Sequence, residues 1–240
     1  MTGSFREIAT WGNRQGMNRA DSTAGSPSRP LIDRIWLALA RGHADRTLAR
    51  FLRAVRSARR TQERVLLAKV RRNAASAFGA DFGFDRIRDY ADFARQVPVL
   101  NYDRLAPYVE RVRRGEVGAM FAAGATVHMF AKTSGTTDAP KYIPVTTPFL
   151  EEYRRGWNAF GVKVIRDHPG CFLRSIVQVS SPMDEERTAA GIPCGAITGL
   201  MAATQKKLVR KYYVVPRAVA YITDADARYY AVVRFAATTD

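Results

Sequence analysis

A short loop rich in hydroxyl side chains separates two β-branched segments near the middle of the chain. The stretch AKTSGTTDAPKYIPVT, residues 131–146, sets four hydroxyl residues around one glycine, and an aspartate, a proline and a lysine follow. TVHMFA, residues 126–131, predicts a strand before the loop. KYIPVT, residues 141–146, predicts a second strand, whose proline confines it to a sheet edge or an irregular position. We therefore expect a sheet built around this loop.

A lysine after a glycine-containing loop first suggests the G-x-x-x-x-G-K-[ST] phosphate loop of nucleotide-binding proteins. In that register, Pro140 takes the place of the second glycine and Tyr142 takes the place of the magnesium-binding hydroxyl. Proline has no N–H to offer a phosphate, and the segment after Lys141 is β-branched, whereas that motif opens a helix. The sequence therefore excludes this kind of loop.

A second kind of phosphate loop fits the residue types better. Hydroxyl donors, a glycine that lets an anion approach the backbone and a mobile cation could together hold a triphosphate. The residues that would do so are Thr133, Ser134, Gly135, Thr136, Thr137 and Lys141. The same residues could instead form a hairpin loop whose hydroxyls bond their own backbone. Composition alone leaves both interpretations open.

The order of the residues points to one family of phosphate loops. TSGTTDAPK resembles [ST]-S-G-[ST]-[ST]-G-x-P-K, the phosphate-binding motif of the adenylate-forming superfamily. YIPVT after the lysine, VPVLNYDRLAPYVERVRRGE upstream, and GIPCGAITG and KYYVVPRAVAYITDADARYYAVVRF downstream are similar to the auxin-responsive Gretchen Hagen family of acyl-acid amido synthetases, in its bacterial branch. The resemblance covers residues 31–240 and no part of residues 1–30.

The resemblance implies a two-step ligation that uses ATP and Mg²⁺. A small-molecule carboxylic acid would attack the α-phosphorus of ATP to give an acyl-adenylate and pyrophosphate, and an amine or amino acid would then attack the acyl carbon. The six loop residues named above would contact the β- and γ-phosphates. Their contribution would be positioning and charge stabilisation, without a nucleophilic side chain.

Two features depart from the family pattern. Asp138 stands where the motif has glycine, and at about 6 Å and an effective dielectric near 20 its carboxylate would repel one phosphate charge by roughly 3 kcal/mol. The chain is also much shorter than family members, so we expect an N-terminal fragment whose site a second polypeptide could complete. A catalytically inactive remnant or nucleotide-binding module is the alternative function.

The predicted elements define the fold class. The first half predicts helices over residues 31–43, 44–79, 85–96 and 103–115, the last of them capped by Asn101 or Asp103. After the two strands, we expect a helix from residue 147, a buried strand over residues 172–181, a helix over residues 206–213 and a helix that begins at an Asp224 cap. This order indicates an α/β fold with a helical N-terminal segment. The resemblance implies that the rest is part of an adenylate-forming-enzyme sheet with flanking helices, which we expect to be incomplete. Residues 1–30 read as a disordered basic lead-in, and residues 31–240 as one domain.

The net charge of +16 is concentrated near the N-terminus. Residues 1–72 contain 15 arginines and one lysine against five acidic residues, a net charge of +11. A chain-wide preference for arginine explains this excess without a ligand, and we favour that explanation; a basic nucleic-acid-binding protein stays as a further alternative.

The two cysteines, Cys171 and Cys194, lack metal-site spacing and suit the reducing cytoplasm. No apolar run is long enough to span a membrane, so we expect no membrane partner.

Several other residues have weaker interpretations. We expect His128 to be a packed histidine rather than a base, and Glu185 and Glu186 to be a solvated loop face. Ser180, Ser181 and GIPCGAITG, residues 191–199, either line an acyl pocket or form a turn and a tight packing site.

Overall fold

The computed structural model of the protein describes residues 31–133, 139–205 and 207–238. The chain forms two units, residues 1–36 and 37–240, and the described part of the first is the opening of helix α1. The predicted disordered lead-in, residues 1–30, lies outside the described residues. Among the described helices, none has the length and apolar character that a membrane span requires.

Helices make up the first half, as predicted, but their boundaries differ from the prediction. They are α1 (Leu31–Arg56), α2 (Ala58–Arg72), α3 (Ala77–Asp81), α4 (Tyr90–Gln96) and α5 (Tyr102–Arg113), with 3₁₀ turns at Phe84–Arg86 and Val117–Ala119.

The predicted break after residue 43 and the predicted continuous helix over residues 44–79 are both wrong. Helix α1 continues through Gly42, where a mid-helix glycine costs about 1 kcal/mol relative to alanine. Burial of Ala44 and Leu48 just beyond it offsets that cost. The chain breaks instead at Ser57, between α1 and α2, and again before Ser76, whose hydroxyl accepts the Gly79 N–H at 2.9 Å and caps α3.

The expected start of α5 is confirmed. The Asn101 side chain accepts the Arg104 N–H at 3.2 Å and so caps the helix. At the other end, Gly115 adopts a left-handed backbone with φ of 100°, which allows the chain to turn away after the last helical residue.

A four-stranded sheet follows, consisting of β1 (Val127–Lys132), β2 (Tyr142–Thr146), β3 (Glu186–Arg187) and β4 (Pro193–Gly195) in the order β2-β1-β4-β3. β1 pairs antiparallel with β2 and parallel with β4, and β3 pairs antiparallel with β4. Strand β2, with Pro144 inside it, lies at one edge, where a missing N–H removes no ladder bond. The two strands predicted around the loop are therefore confirmed.

Neighbouring residues of β1 point into different cores. Met129 packs with Val145, Leu150 and Leu200, whereas Phe130 packs with Val109, Val112 and Cys194. Both Met129 and Phe130 are fully buried. The sheet is thus covered on both faces, on one side by the helices that carry Leu150 and Leu200 and on the other by α5, which confirms the α/β class.

The second half contains α6 (Thr147–Asp167), α7 (Ile197–Ala203), α8 (Lys207–Arg210) and α9 (Ala225–Ala237), with 3₁₀ turns at Pro169–Cys171 and Arg217–Tyr221. Asp224 caps α9 as predicted, because its carboxylate accepts the Ala227 N–H at 2.7 Å. The predicted helix over residues 206–213 is described only as the single turn α8.

The predicted buried strand over residues 172–181 is wrong. This segment makes one isolated parallel bridge, Ile176 to Tyr213, and about half of the Val177 and Val179 surfaces stays exposed. A β-branched run becomes a strand only where the edge of a neighbouring strand accepts its hydrogen bonds. In the described structure, the four-stranded sheet does not include residues 172–181.

Candidate functional site

Two residues join the ends of the hydroxyl-rich loop. The Thr133 N–H donates to the Lys141 carbonyl at 3.1 Å, and the Lys141 N–H donates to Thr133 Oγ1 at 3.2 Å. These bonds extend the β1–β2 pairing by one residue beyond Lys132 and Tyr142, so Thr133 and Lys141 lie opposite each other at the base of the loop. The structure thus brings together the first and the last of the predicted site residues.

The other four predicted site residues, Ser134, Gly135, Thr136 and Thr137, lie outside the described residues, as does Asp138. Their roles in phosphate binding stay predictions. The geometry that the structure does give concerns the two strands on which the loop stands and the side chains around its base.

A tyrosine that sequence reasoning missed supports the end of the loop. The Tyr102 hydroxyl accepts the Tyr142 N–H at 2.8 Å and lies 3.4 Å from the Tyr142 carbonyl, to which it can donate. It therefore binds both backbone groups of the residue that follows Lys141, on the outer side of edge strand β2. The Lys141 ammonium lies 5.8 Å from the centre of the Tyr102 ring, within reach of a cation–π attraction.

The opposite side of the loop base carries a cluster of charged side chains. The Lys132 ammonium lies 3.4 Å from a Glu185 oxygen and 3.7 Å from a Glu186 oxygen. The Tyr142 hydroxyl donates to Glu186 at 2.6 Å, and the Arg113 guanidinium lies 4.0 Å above the Tyr142 ring. Glu185 and Glu186 are exposed, as expected, but they also bind the two strands that flank the loop.

This cluster changes the acidity of Tyr142. The hydrogen bond to Glu186, then partial burial and the nearby carboxylate charge, raise the pKa of Tyr142 to about 12. The phenol therefore stays protonated and continues to donate throughout the physiological range. The contact links β2 to β3, the strand that carries Glu186, across the two strands that lie between them.

Two further expectations can be compared with the structure. His128 is exposed rather than packed, and its Nε2 lies 2.9 Å from the Thr147 hydroxyl, so the expectation of a packed histidine is wrong. Both cysteines are free, and burial raises the pKa of the Cys194 thiol. Within residues 31–133, 139–205 and 207–238, no three His, Cys, Asp or Glu side chains cluster as metal ligands would.

The GIPCGAITG stretch forms a packing site. A Cβ atom on Gly195 would lie 2.6 Å from the Pro182 carbonyl oxygen, and one on Gly199 would lie 2.4 Å from the Ser181 carbonyl oxygen. The space beside Ser180 and Ser181 amounts to about 10 Å³, which is too small for an acyl group. Of the two interpretations of this stretch, the structure favours tight packing over an acyl pocket.

Comparison with known proteins identifies the family. The family model described as "GH3 family N-terminal domain" matches residues 47–239. The chain belongs to the GH3 family. The resemblance seen in the loop motif and its flanking stretches is therefore confirmed, and the match to an N-terminal domain agrees with the expected N-terminal portion.

Related proteins are plant amido synthetases, which are ligases. An Oryza sativa subsp. japonica protein, provisionally named indole-3-acetic acid-amido synthetase GH3.10, is 27% identical over 174 residues, 71% of this chain and 36% of the relative. Indole-3-acetic acid-amido synthetase GH3.8 of Oryza sativa subsp. indica is 37% identical over 85 residues, 35% of this chain and 14% of the relative. Because these relatives come from plants, the bacterial branch stays a prediction.

A solved structure shares the fold. The GH3.15 acyl acid amido synthetase superposes with a TM-score of 0.59 at 22% identity, covering 72% of this chain and 30% of that protein. The matched region thus spans about a third of the length of the GH3.10 and GH3.15 proteins. It corresponds to the N-terminal domain of the GH3 family.

Proposed function

We propose that this GH3 chain carries the phosphate-binding loop of an ATP-dependent ligase that activates a carboxylic acid as its acyl-adenylate and joins it to an amine or amino acid. The observation that carries the proposal is the pairing of Thr133 with Lys141 at the ends of two adjacent strands. This pairing sets the first hydroxyl and the only lysine of the TSGTTDAPK motif side by side at the loop base. Family membership supports the assignment of that motif to a nucleotide.

The described residues suit the polyphosphate end of a nucleotide. Lys141 is exposed, so its ammonium is free to leave the face of Tyr102 and approach an anion. Lys132, one residue before the loop, is paired with two glutamates and is therefore less available for that purpose. ATP would supply the leaving pyrophosphate, and Lys141 would stabilise the charge that develops on it.

Magnesium would enter together with the nucleotide. Phosphate oxygens and water commonly supply most ligands of a catalytic Mg²⁺, so a dedicated cluster of protein carboxylates is not required.

The rest of the nucleotide site, including the adenine pocket, would come from a second polypeptide or from a longer form of this chain. We also propose the reducing cytoplasm as the compartment, because both cysteines are free thiols.

Titration of ATP against the whole chain, by calorimetry, tests the proposal, followed by pyrophosphate release with a panel of carboxylic acids. Lys141→Ala should weaken ATP binding at least tenfold, because the variant loses the cation next to the phosphates. Lys163→Ala is the matched control, since this lysine lies on α6 and pairs with Asp167. A wild-type chain that does not bind ATP, or equal affinities for the two variants, would overturn the proposed function.

A second candidate function is a nucleotide-binding module without turnover. The observation that favours it is Asp138, whose carboxylate stands in the motif at the position of a glycine. ATP binding without pyrophosphate release for any acid would support this candidate over the ligase.

A further inference from the structure

A cleft of about 660 Å³ lies between the second half of α1 and helix α2. None of the described loop residues lines it. Its walls come from one face of the two consecutive helices and include Arg50, Arg53, Arg60, Arg64, Arg71 and Glu63. We call this feature the arginine cleft.

The arginines of this cleft have no acidic partners. Arg50, Arg53, Arg60, Arg64 and Arg71 are all exposed, and no ion pair within the described part of the chain involves any of them. The single acid of the lining, Glu63, accepts the Tyr90 N–H at 3.3 Å instead. With five arginines and one glutamate, the lining therefore carries a net charge of +4.

The grouping of these five arginines distinguishes the cleft. The same helices carry other exposed arginines outside the lining, such as Arg46, Arg56 and Arg72, but the five lining arginines all face one concave surface. Arg50 with Arg53, and Arg60 with Arg64, are helical neighbours of like charge, an arrangement that disfavours the helix when no anion is bound. An anionic partner in the cleft would remove this repulsion.

We propose that the arginine cleft binds the phosphate backbone of duplex nucleic acid without regard to base sequence. Arginine presents a planar fork of donors that matches phosphate oxygens. The 22 residues from Arg50 to Arg71 extend over about 30 Å of helix, close to one turn of B-form DNA. The charges are thus spread along a line, as a polyphosphate backbone requires.

The lining distinguishes a duplex from other anionic partners. It contains no aromatic side chain on which an unpaired base could stack, which disfavours single strands. A flat bilayer cannot follow a concave wall, and Leu67 is the one large apolar residue in the lining, since the exposed Phe51, Leu52 and Val55 lie outside it. These features favour a duplex over a membrane surface.

The test measures fluorescence anisotropy of a labelled 20-base-pair DNA with the full chain over a series of KCl concentrations. The cleft variant is R53Q/R60Q/R64Q. The matched control, R46Q/R56Q/R72Q, removes three exposed arginines from the same two helices outside the cleft lining. Anionic phosphatidylserine vesicles and polyglutamate serve as alternative partners, and circular dichroism checks that both variants keep their helices.

We expect the cleft variant to bind DNA at least tenfold more weakly than wild type at about 0.1 M salt, and the control less than threefold more weakly. The slope of log K against log salt should become smaller in magnitude by about 2.7 in the cleft variant, about 0.9 for each phosphate contact removed. Equal losses in the two variants, no measurable DNA binding by wild type, or tighter binding to vesicles or polyglutamate would each overturn the proposal.

Discussion

Removal of the Tyr102 hydroxyl should loosen the end of the loop. In Tyr102→Phe, the Tyr142 N–H loses the acceptor that lies 2.8 Å away, and its carbonyl loses a donor at 3.4 Å. Both tyrosines are half-buried, so water replaces these bonds only in part, and the free energy of unfolding should fall by about 1–2 kcal/mol. For a domain of this size, that corresponds to a decrease in melting temperature of about 2–8 °C.

The same change should weaken ATP binding, because Lys141 directly precedes the released residue. If half of the lost energy, about 0.5–1 kcal/mol, is needed to hold Lys141 in its binding position, the affinity falls about two- to fivefold. Tyr102→Leu, which also removes the ring beneath the Lys141 ammonium, should weaken binding further. Thermal unfolding by circular dichroism and calorimetric titration of ATP measure the two effects separately.

Tyr108→Phe provides a control on the same helix. This tyrosine donates a 2.6 Å hydrogen bond to Asp81, and its ring packs edge-on against Phe78, so it has the same chemistry without contact to the loop. We expect its loss to affect stability but not ATP affinity. The reasoning is refuted if wild type binds ATP and Tyr102→Phe binds it equally well, or if Tyr108→Phe weakens ATP binding to the same extent.

Three more predictions concern single residues. Asp138→Gly should tighten ATP binding by on the order of a hundredfold in calorimetric titration, because it removes the carboxylate–phosphate repulsion of roughly 3 kcal/mol; equal affinities would contradict this. In urea unfolding, Gly199→Ala should lower the free energy of unfolding by about 1–3 kcal/mol, because the new Cβ clashes with the backbone. Gly161→Ala, which places no atom within 4 Å of the new Cβ, should raise it by up to about 1 kcal/mol. Changes of the same sign in both variants would contradict this prediction. Because the pKa of Tyr142 is raised above its ordinary value of 10, the native state retains a proton that the unfolded state releases. The stabilisation from the Tyr142 hydrogen bond is therefore complete below pH 10 and is lost between pH 10 and about 12. The difference in unfolding free energy between wild type and Tyr142→Phe should shrink over that range, and a constant difference would disprove the linkage.

Features that depend on adjacent residues could be predicted from the sequence. The strands on either side of the loop follow from β-branched runs interrupted by turn residues, and the caps at Asn101 and Asp224 follow from a short polar side chain before an amphipathic segment. The α/β class follows from the succession of these elements. The pairing of Thr133 with Lys141 also follows, since a loop between adjacent antiparallel strands brings its own ends together.

Features that depend on distant packing could not be predicted in this way. The continuation of α1 through Gly42 depends on the burial of Ala44 and Leu48, which no local pattern reveals. Residues 172–181 have the composition of a buried strand, yet strand formation requires a partner edge, and the described sheet leaves them only one bridge. In both places, tertiary context overrode local preference.

The contacts that shape the candidate site belong to this second class. Tyr102 and Tyr142 are 40 residues apart, and Tyr142 and Glu186 are 44 apart, so neither hydrogen bond leaves a local mark in the sequence. Together they bind the first residue of β2 to α5 through its backbone and to β3 through its side chain. The position of Lys141 therefore depends on the helix and strand that hold Tyr142, as well as on the motif in which the lysine occurs. A substitution at Tyr102 or Glu186 should accordingly alter nucleotide binding while leaving every residue of the loop unchanged.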